Sequence, residues 1–552
     1  MEEKWQSGTS SRASSDADTE PLQHDLTLEH SSIEDFLHVF RSKRAQDDVS
    51  SVSSSNSAPK TPLSAQQAID EDKPLDDLRE HLQLLEPLQL DHGVVDQVAL
   101  DPPCSLQASS KLLVLGATSG HVSVYSLDGL DVLRTLPCHH AEVLDVGFSR
   151  AGTILSCSSD ASIVILDPFD HANRRVHKFS DFGVVSVDAA PDFEEKRRFA
   201  FVSADNAVFS ARFKFFWGPS ALLQLSPPQN ERIKIIRWGG IVGKLYLAWA
   251  SSTTCWIFDY SPKRILFVLH RPDPIENLPS DVGSDAPVSI VWETQTNLVV
   301  CWGDAVQSLE ISETCEGDKT VKIRTTFQLA KFWVCGLAIL EQSAYVLCVV
   351  HKHAHAKKKW KSCSLLVVNR QGGIISGLDL NIKGKKFGRV LLESLTLASS
   401  SQSLNDGCFI YLACPEKIFA FKLRNPDVIV SECIASGRVY EALECADACR
   451  DLLNLNNVQL VANLYMKQLL EQHEEIEAVA VCQKYCVANL QVWMDRVLMF
   501  DAFGALHVKM HAFFMSQLSQ HIALLVPTSN PKLETDTYNF ILKRLVQTKS
   551  YV

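Results

Sequence analysis

Two eight-residue stretches, SGHVSVYS at 119–126 and DASIVILD at 160–167, realign at a displacement of 41 residues. A self-similar period of about 40–45 residues constrains the fold strongly, because it is the length of one four-stranded propeller blade that buries its faces only against its neighbours. From about 93 to 423, short runs rich in β-branched and aromatic residues alternate with turn clusters. They are Lys111–Leu115, His121–Tyr125, Ile163–Leu166, Phe199–Val202, Leu245–Trp249, Leu298–Trp302, Tyr345–Val350, Leu365–Val368 and Phe409–Ala413. So many strands over some 330 residues exceed what a two-sheet sandwich uses. The expectation is an all-β propeller of about seven blades.

The best-defined repeat is His139 to Asp167, HHAEVLDVGFSRAGTILSCSSDASIVILD. It resembles the WD-repeat pattern: His139 stands four positions before Val143, Gly152 makes the turn, and Ser158 and Asp160 follow where that family uses Ser and Asp. The resemblance implies that His139, Ser158 and Asp160 link strands by buried hydrogen bonds, satisfying groups that are costly to bury alone. Leu166 occupies the usual Trp position, so the network is expected to be incomplete.

After Asn425–Pro426 the apolar period lengthens to that of helices. Val428, Val430 and Ile434 lead to a turn at Ser436–Gly437, and Tyr440, Leu443 and Cys445 continue beyond it, which reads as an αα-hairpin. Further helices are expected at about 458–471, 473–486, 490–502 and 534–547. Each hides its apolar stripe only by stacking, as in an all-α solenoid of clathrin-type or TPR-like hairpins. The expected domains are therefore an acidic, Ser-rich disordered tail over 1–90, a propeller over 91–425 that folds without the helices, and the start of a solenoid over 427–552.

The net charge of −12 is concentrated in that tail, where 8 Lys and Arg face 18 Asp and Glu. A near-neutral body behind an acidic tail argues against nucleic acid as the main partner. The basic run HKHAHAKKKWK at 351–361 reads as a solvated loop more readily than as a phosphate or lipid patch. The sixteen cysteines are dispersed in apolar segments without a CxxC pair, and the first residues carry no apolar leader, which points to a reducing compartment. No apolar run approaches the roughly 18 residues of a spanning helix, so any membrane association is expected to be peripheral.

Motifs for chemistry are missing. GGIVGK at 239–244 is one residue short of a phosphate-binding loop, and no HExxH, GxSxG or dinucleotide fingerprint occurs. No catalytic, cofactor-binding or metal-ligating residue is expected; the pairs Cys445/Cys449 and Cys482/Cys486 suit helix packing better than zinc. In the tail, Glu80 followed by Leu84 and Leu85 fits the acidic dileucine pattern read by clathrin-adaptor complexes, with an ordinary amphipathic helix as the alternative.

Four stretches together resemble the vacuolar protein sorting-associated protein 41 family: LVLGATSGHVSVYSLDG (113–129), IKIIRWGGIVGKLYLAWASSTTCWIFDY (233–260), VSIVWETQTNLVVCWGDAV with CGLAIL (288–306, 335–340), and 481–542. The resemblance implies a non-enzymatic scaffold of the HOPS tethering complex, cytoplasmic and peripheral on late endosome and vacuole or lysosome membranes. It implies other tethering-complex subunits and a Rab-class small GTPase as partners, and a chain that stops at Val552 before the rest of a solenoid and a RING. The alternative in the same architecture is a CORVET-like tether, a coat or an intraflagellar transport subunit.

Overall fold

The runs singled out in the sequence are all the second or third strands of four-stranded sheets. The computed structural model describes residues 83–485 and 499, apart from 91, 128–130, 170–174, 180–182, 214–218, 273–286, 315–317, 341–343, 352–362, 381, 383–394, 401–407 and 416. Seven antiparallel four-stranded sheets form the blades. Their innermost strands are Pro103–Ala108, Val143–Phe148, Ser186–Ala189, Ile235–Ile241, Val288–Trp292, Phe332–Leu340 and Thr396–Ser399, for blades 1 to 7 in order. Each inner strand neighbours the next, and that of blade 7 returns to that of blade 1, so the ring is closed. The second strands are buried on both sides, as in Leu112–Ala117 and Asn297–Trp302, because each is pressed between two adjacent blades. That is why they read as continuous apolar runs.

Closure comes from the opposite end of the chain. Leu85–Leu88 is the outermost strand of blade 7, pairing antiparallel with Lys417–Leu423 in the register Leu85↔Leu423 to Leu88↔Ala420. Pro87 is tolerated there because an edge strand spends half of its amides on nothing. The helix α1, His92–Leu100, then packs beside Lys417–Leu423 and leads into blade 1. The ring takes in residues from Leu84 onward, ahead of the boundary expected at residue 90, and 1–82 lie outside the described residues. A second short helix, α2 (Phe193–Lys196), sits within blade 3.

The chain passes from strand to helix at Asn425–Pro426. Only Arg424 and Asn425 separate the last strand from α3, Pro426–Ala435, with Asn425 as its N-cap (Asp427 N–H to Asn425 Oδ1, 2.9 Å) and Pro426 in its first turn. Gly437, with φ of 76°, ends the turn in the left-handed region before α4, Val439–Ala448. Then follow α5, Val458–Glu471, and α6, Glu475–Tyr485. The expected helices at 490–502 and 534–547 lie outside the described residues. Asp427, 2% exposed, accepts N–H bonds from Asn454 (2.8 Å), Leu455 (3.1 Å) and Asn456 (2.7 Å), tying the loop before α5 back to α3. One apolar cluster runs from Val346, Leu365 and Leu412 in blades 6 and 7, through Leu84, Leu85 and Leu423, into Ile429, Val430, Ala442, Val461 and Met466 of the helices. The joint is packed core, not a linker.

Candidate functional site: the central channel and the contacts between blades

The third residue of three successive inner strands is charged. In blades 2, 3 and 4 it is Asp145, Asp188 and Arg237. A lone charge in an otherwise apolar inner strand must find its partners on other blades. Arg237 forks onto Asp145 at 2.8 and 3.1 Å, and the Ser186 hydroxyl donates to the same carboxylate at 2.5 Å. Asp145 also accepts from the Val187 N–H of blade 3 (3.3 Å), and Asp188 accepts from the Trp238 N–H of blade 4 (2.6 Å). The step repeats on either side: the Ser105 hydroxyl of blade 1 donates to the Val143 carbonyl (3.3 Å), and the Trp292 Nε1–H of blade 5 donates to the Arg237 carbonyl (3.2 Å). The result is a polar stair through five successive blades.

These strands line a cavity of about 700 Å³ to which all seven inner strands contribute. The indole of Trp292 closes over Gly239, where a Cβ would lie 2.2 Å from the ring, so this position requires glycine. Burial lifts the Asp188 carboxyl from 3.8 to about 7, against the pull of Arg237. Burial also drives the Cys157 thiol, behind Asp145, well above its ordinary range, so it is no nucleophile. Asp145, Asp188 and Arg237 are spent on each other, on the Ser186 hydroxyl and on backbone amides. What the arrangement does is fix blade against blade.

Sequence reasoning missed this stair. The signal was there: single charges at the same register of VLDVGF, SVDA and IIRWGGI, each strand otherwise apolar or small.

The blade 2 residues lie where WD-type bonding would use them, with a different wiring. His139, buried, meets the Ser162 hydroxyl through Nδ1 (2.7 Å) and the Ser156 hydroxyl through Nε2 (2.8 Å). Asp160 accepts from Ser162 (hydroxyl at 2.5 Å, N–H at 3.0 Å) and from the His140 N–H (2.8 Å). Ser158 does not join this relay; its hydroxyl donates to the Ala141 carbonyl (3.0 Å) and accepts from the Asp160 N–H (3.2 Å). The relay is Asp160–Ser162–His139–Ser156, and Ser156 and Ser162 are the members that the sequence reading did not name.

The two leucines of the dileucine pattern are buried. Leu84 is 0% and Leu85 1% exposed, wedged in the cluster that joins blades 6 and 7 to the helices. The Leu84 carbonyl accepts from the Arg424 N–H at 2.8 Å and its own N–H donates to the Ser376 hydroxyl at 3.4 Å. Two leucines held in this way clasp the ring and present nothing to an adaptor; Glu80 lies outside the described residues. Cys445, Cys449 and Cys482 are fully buried in the same cluster, and Cys486 lies outside the described residues. Among the described residues no group of three or more His, Cys, Asp or Glu has a metal-holding arrangement.

The ring geometry agrees with a comparison to known families. The family model Beta-prop_Vps41, described as "Vps42 beta-propeller", matches residues 89–401. The chain belongs to the Vps41 β-propeller family. The vacuolar protein sorting-associated protein 41 homolog of Arabidopsis thaliana is 22% identical over 494 residues, covering 82% of this chain and 46% of that protein. The homolog of Danio rerio is 21% identical over 476 residues, and that of Homo sapiens 20% over 474; each alignment covers 83% of this chain and 51% of the relative. The chain spans about half the length of the curated relatives it matches. The matched span includes the blade 4 and 5 residues of the stair and the wall behind it. Arg237 and Trp238 supply the stair, Trp249 of Ala-Trp-Ala is 1% exposed against Phe258, and Asp259 ends the Ile-Phe-Asp run in a 2.5 Å ion pair with Lys319 of blade 5.

Proposed function

We propose that the chain is a scaffold subunit of a HOPS-like tethering complex acting in transport to the vacuole or lysosome. The observation that carries this is a closed family propeller that continues, through shared core, into helical hairpins, with Asp145, Asp188 and Arg237 of its channel committed to holding the ring together. Such a body offers rigid surface in place of reactive groups. The helices α3 to α6 are read as the first hairpins of a solenoid that would extend the scaffold away from the ring. Among the described residues no helix is long and apolar enough to cross a membrane. We place the protein peripherally on late endosomal and vacuolar or lysosomal membranes, with sister tethering subunits and a Rab-class small GTPase as partners. A clathrin-adaptor contact through Leu84 and Leu85 would require blade 7 to open.

The test is affinity purification of the tagged protein at native abundance, read by mass spectrometry with and without a non-hydrolysable GTP analogue. Recovery of sister tethering subunits, with a Rab-class GTPase enriched by the analogue, is expected. Recovery of coat or intraflagellar transport subunits in their place would move the chain to that alternative.

A further inference from the structure

The outermost strand of a blade leaves alternate backbone N–H and C=O groups facing outward, ready to pair with another chain. Six of the seven outer strands carry something that discourages such pairing. Blade 1 has Arg134 and Pro137 in VLRTLP, and blade 2 has only the short basic RVHK. Blade 3 starts at Pro219 and slips register at both ends of its pairing, and blade 5 carries Lys319, Lys322 and Arg324. Blade 6 is interrupted by Gly377 and Asp379, and blade 7 by Glu86 and Pro87. Blade 4 differs. Its outer strand, Arg264–His270, reads RILFVLH, five consecutive apolar residues without a proline, glycine or charge among them.

Three of the five have a use in the ring. Leu269 is buried, and Leu266 and Phe267 are partly buried, in the cluster between blades 4 and 5. The other two are left outside: Ile265 is 46% and Val268 36% exposed, standing opposite Phe258 and Trp256 in the register. At the start of the strand Lys263 and Arg264 are both exposed, and neither has an ion pair among the described residues. The carboxylate nearest in register, Asp259, is held by Lys319 and is 1% exposed, so it does not neutralise them.

We propose that this edge takes an extended segment of a partner protein as a fifth, antiparallel strand of blade 4. The partner segment alternates apolar residues, which cover Ile265 and Val268, and carries Asp or Glu at its C-terminal end, which an antiparallel pairing brings to Lys263 and Arg264. Main-chain bonds supply the hold, and the two cations set direction and register.

The probe is a fluorescein-labelled eight-residue peptide that alternates Thr with Val or Ile and ends in Asp-Glu, titrated by anisotropy into the full 552-residue chain. Saturable binding is expected, with Ile265→Lys or Val268→Lys weakening it at least tenfold; both positions are exposed, and unchanged thermal melts would show the variants folded. Lys263→Glu with Arg264→Glu is expected to move the preference to a peptide ending in Lys-Lys. N-methylation of alternate peptide amides separates strand addition from side-chain docking: one phase should abolish binding and the other leave it within about twofold. The proposal is overturned by an absence of saturable binding, by binding indifferent to Val268→Lys, by equal loss from both methylation phases, or by preference for a peptide with its acidic pair at the N-terminal end.

Discussion

Blades 2 to 4 and blades 6 to 7 belong to one ring and are held by opposite means. In the first group each inner strand carries one charged side chain: Asp145 and Asp188 bind the amides of the next blade, and Arg237 reaches across blade 3 to Asp145. In the second, Cys335, Leu337 and Leu397 line the inner wall, and Cys348, Cys363, Cys408 and Cys414 are all fully buried behind it. Directional bonds fix the angle between blades but cannot be extended without leaving a partner unsatisfied. Apolar packing is indifferent to direction and can be continued by any element with a matching stripe. The helices emerge from the apolar side, where one cluster already spans blades 6 and 7. The polar side gives the ring its shape, and the apolar side is where the fold grows.

The comparison can be broken first at the clasp. Leu85→Asp would place an uncompensated charge where Leu85 is 1% exposed, a loss above about 4 kcal/mol. A thermal melt should show collapse of the main transition, while Leu85→Val keeps it. On the polar side, Arg237→Met strips Asp145 of its forked partner. The cost should be about 3 kcal/mol, the low end for breaking a buried pair, because both side chains keep some exposure. Adding Asp145→Leu to it should restore much of the loss in denaturant titrations, as a pair held by mutual need would. Within blade 2, His139→Ala leaves the Ser156 and Ser162 hydroxyls without their ring nitrogen partners, costing about 1–3 kcal/mol by the same titration.

The smallest effect is a dependence on pH. Asp188 titrates near 7 in the fold against an ordinary 3.8, so the folded chain holds its proton more tightly than the unfolded one. The stabilisation from that proton is complete below about 3.8 and is lost as pH rises through about 7. Asp188→Asn should therefore flatten the fall in melting temperature across this window relative to the parent chain. An unchanged difference between the two proteins from pH 4 to 8 would contradict the assignment.

How much of this was legible in the sequence follows from where each strand sits. Leu112–Ala117, Lys244–Ala250 and Ala344–His351 are pressed on both faces, so their composition alone announces them. The inner strands are short and mixed, and SVDA at 186–189 looks like turn material until its neighbours surround it. The clasp was invisible for another reason: nothing local in LEPL says that its partner is Lys417–Leu423, more than 300 residues away. The same adjacent leucines that suggest a linear sorting signal are equally good wedges, and only burial separates the two. In the helices, Ser436–Gly437 and the span 458–471 were readable because caps and the apolar period coincide there.

The claim that the propeller and the helices share one core is tested most directly by hydrogen exchange on the full chain and on a chain ending at Asn425. The account predicts that removing the helices raises exchange in Leu85–Leu88 and Phe409–Leu423, which border the shared cluster, and leaves the inner strands Val143–Phe148 and Ile235–Ile241 as protected as before. Identical protection throughout the ring would contradict it, and would mean that blade 7 closes without help from the helices.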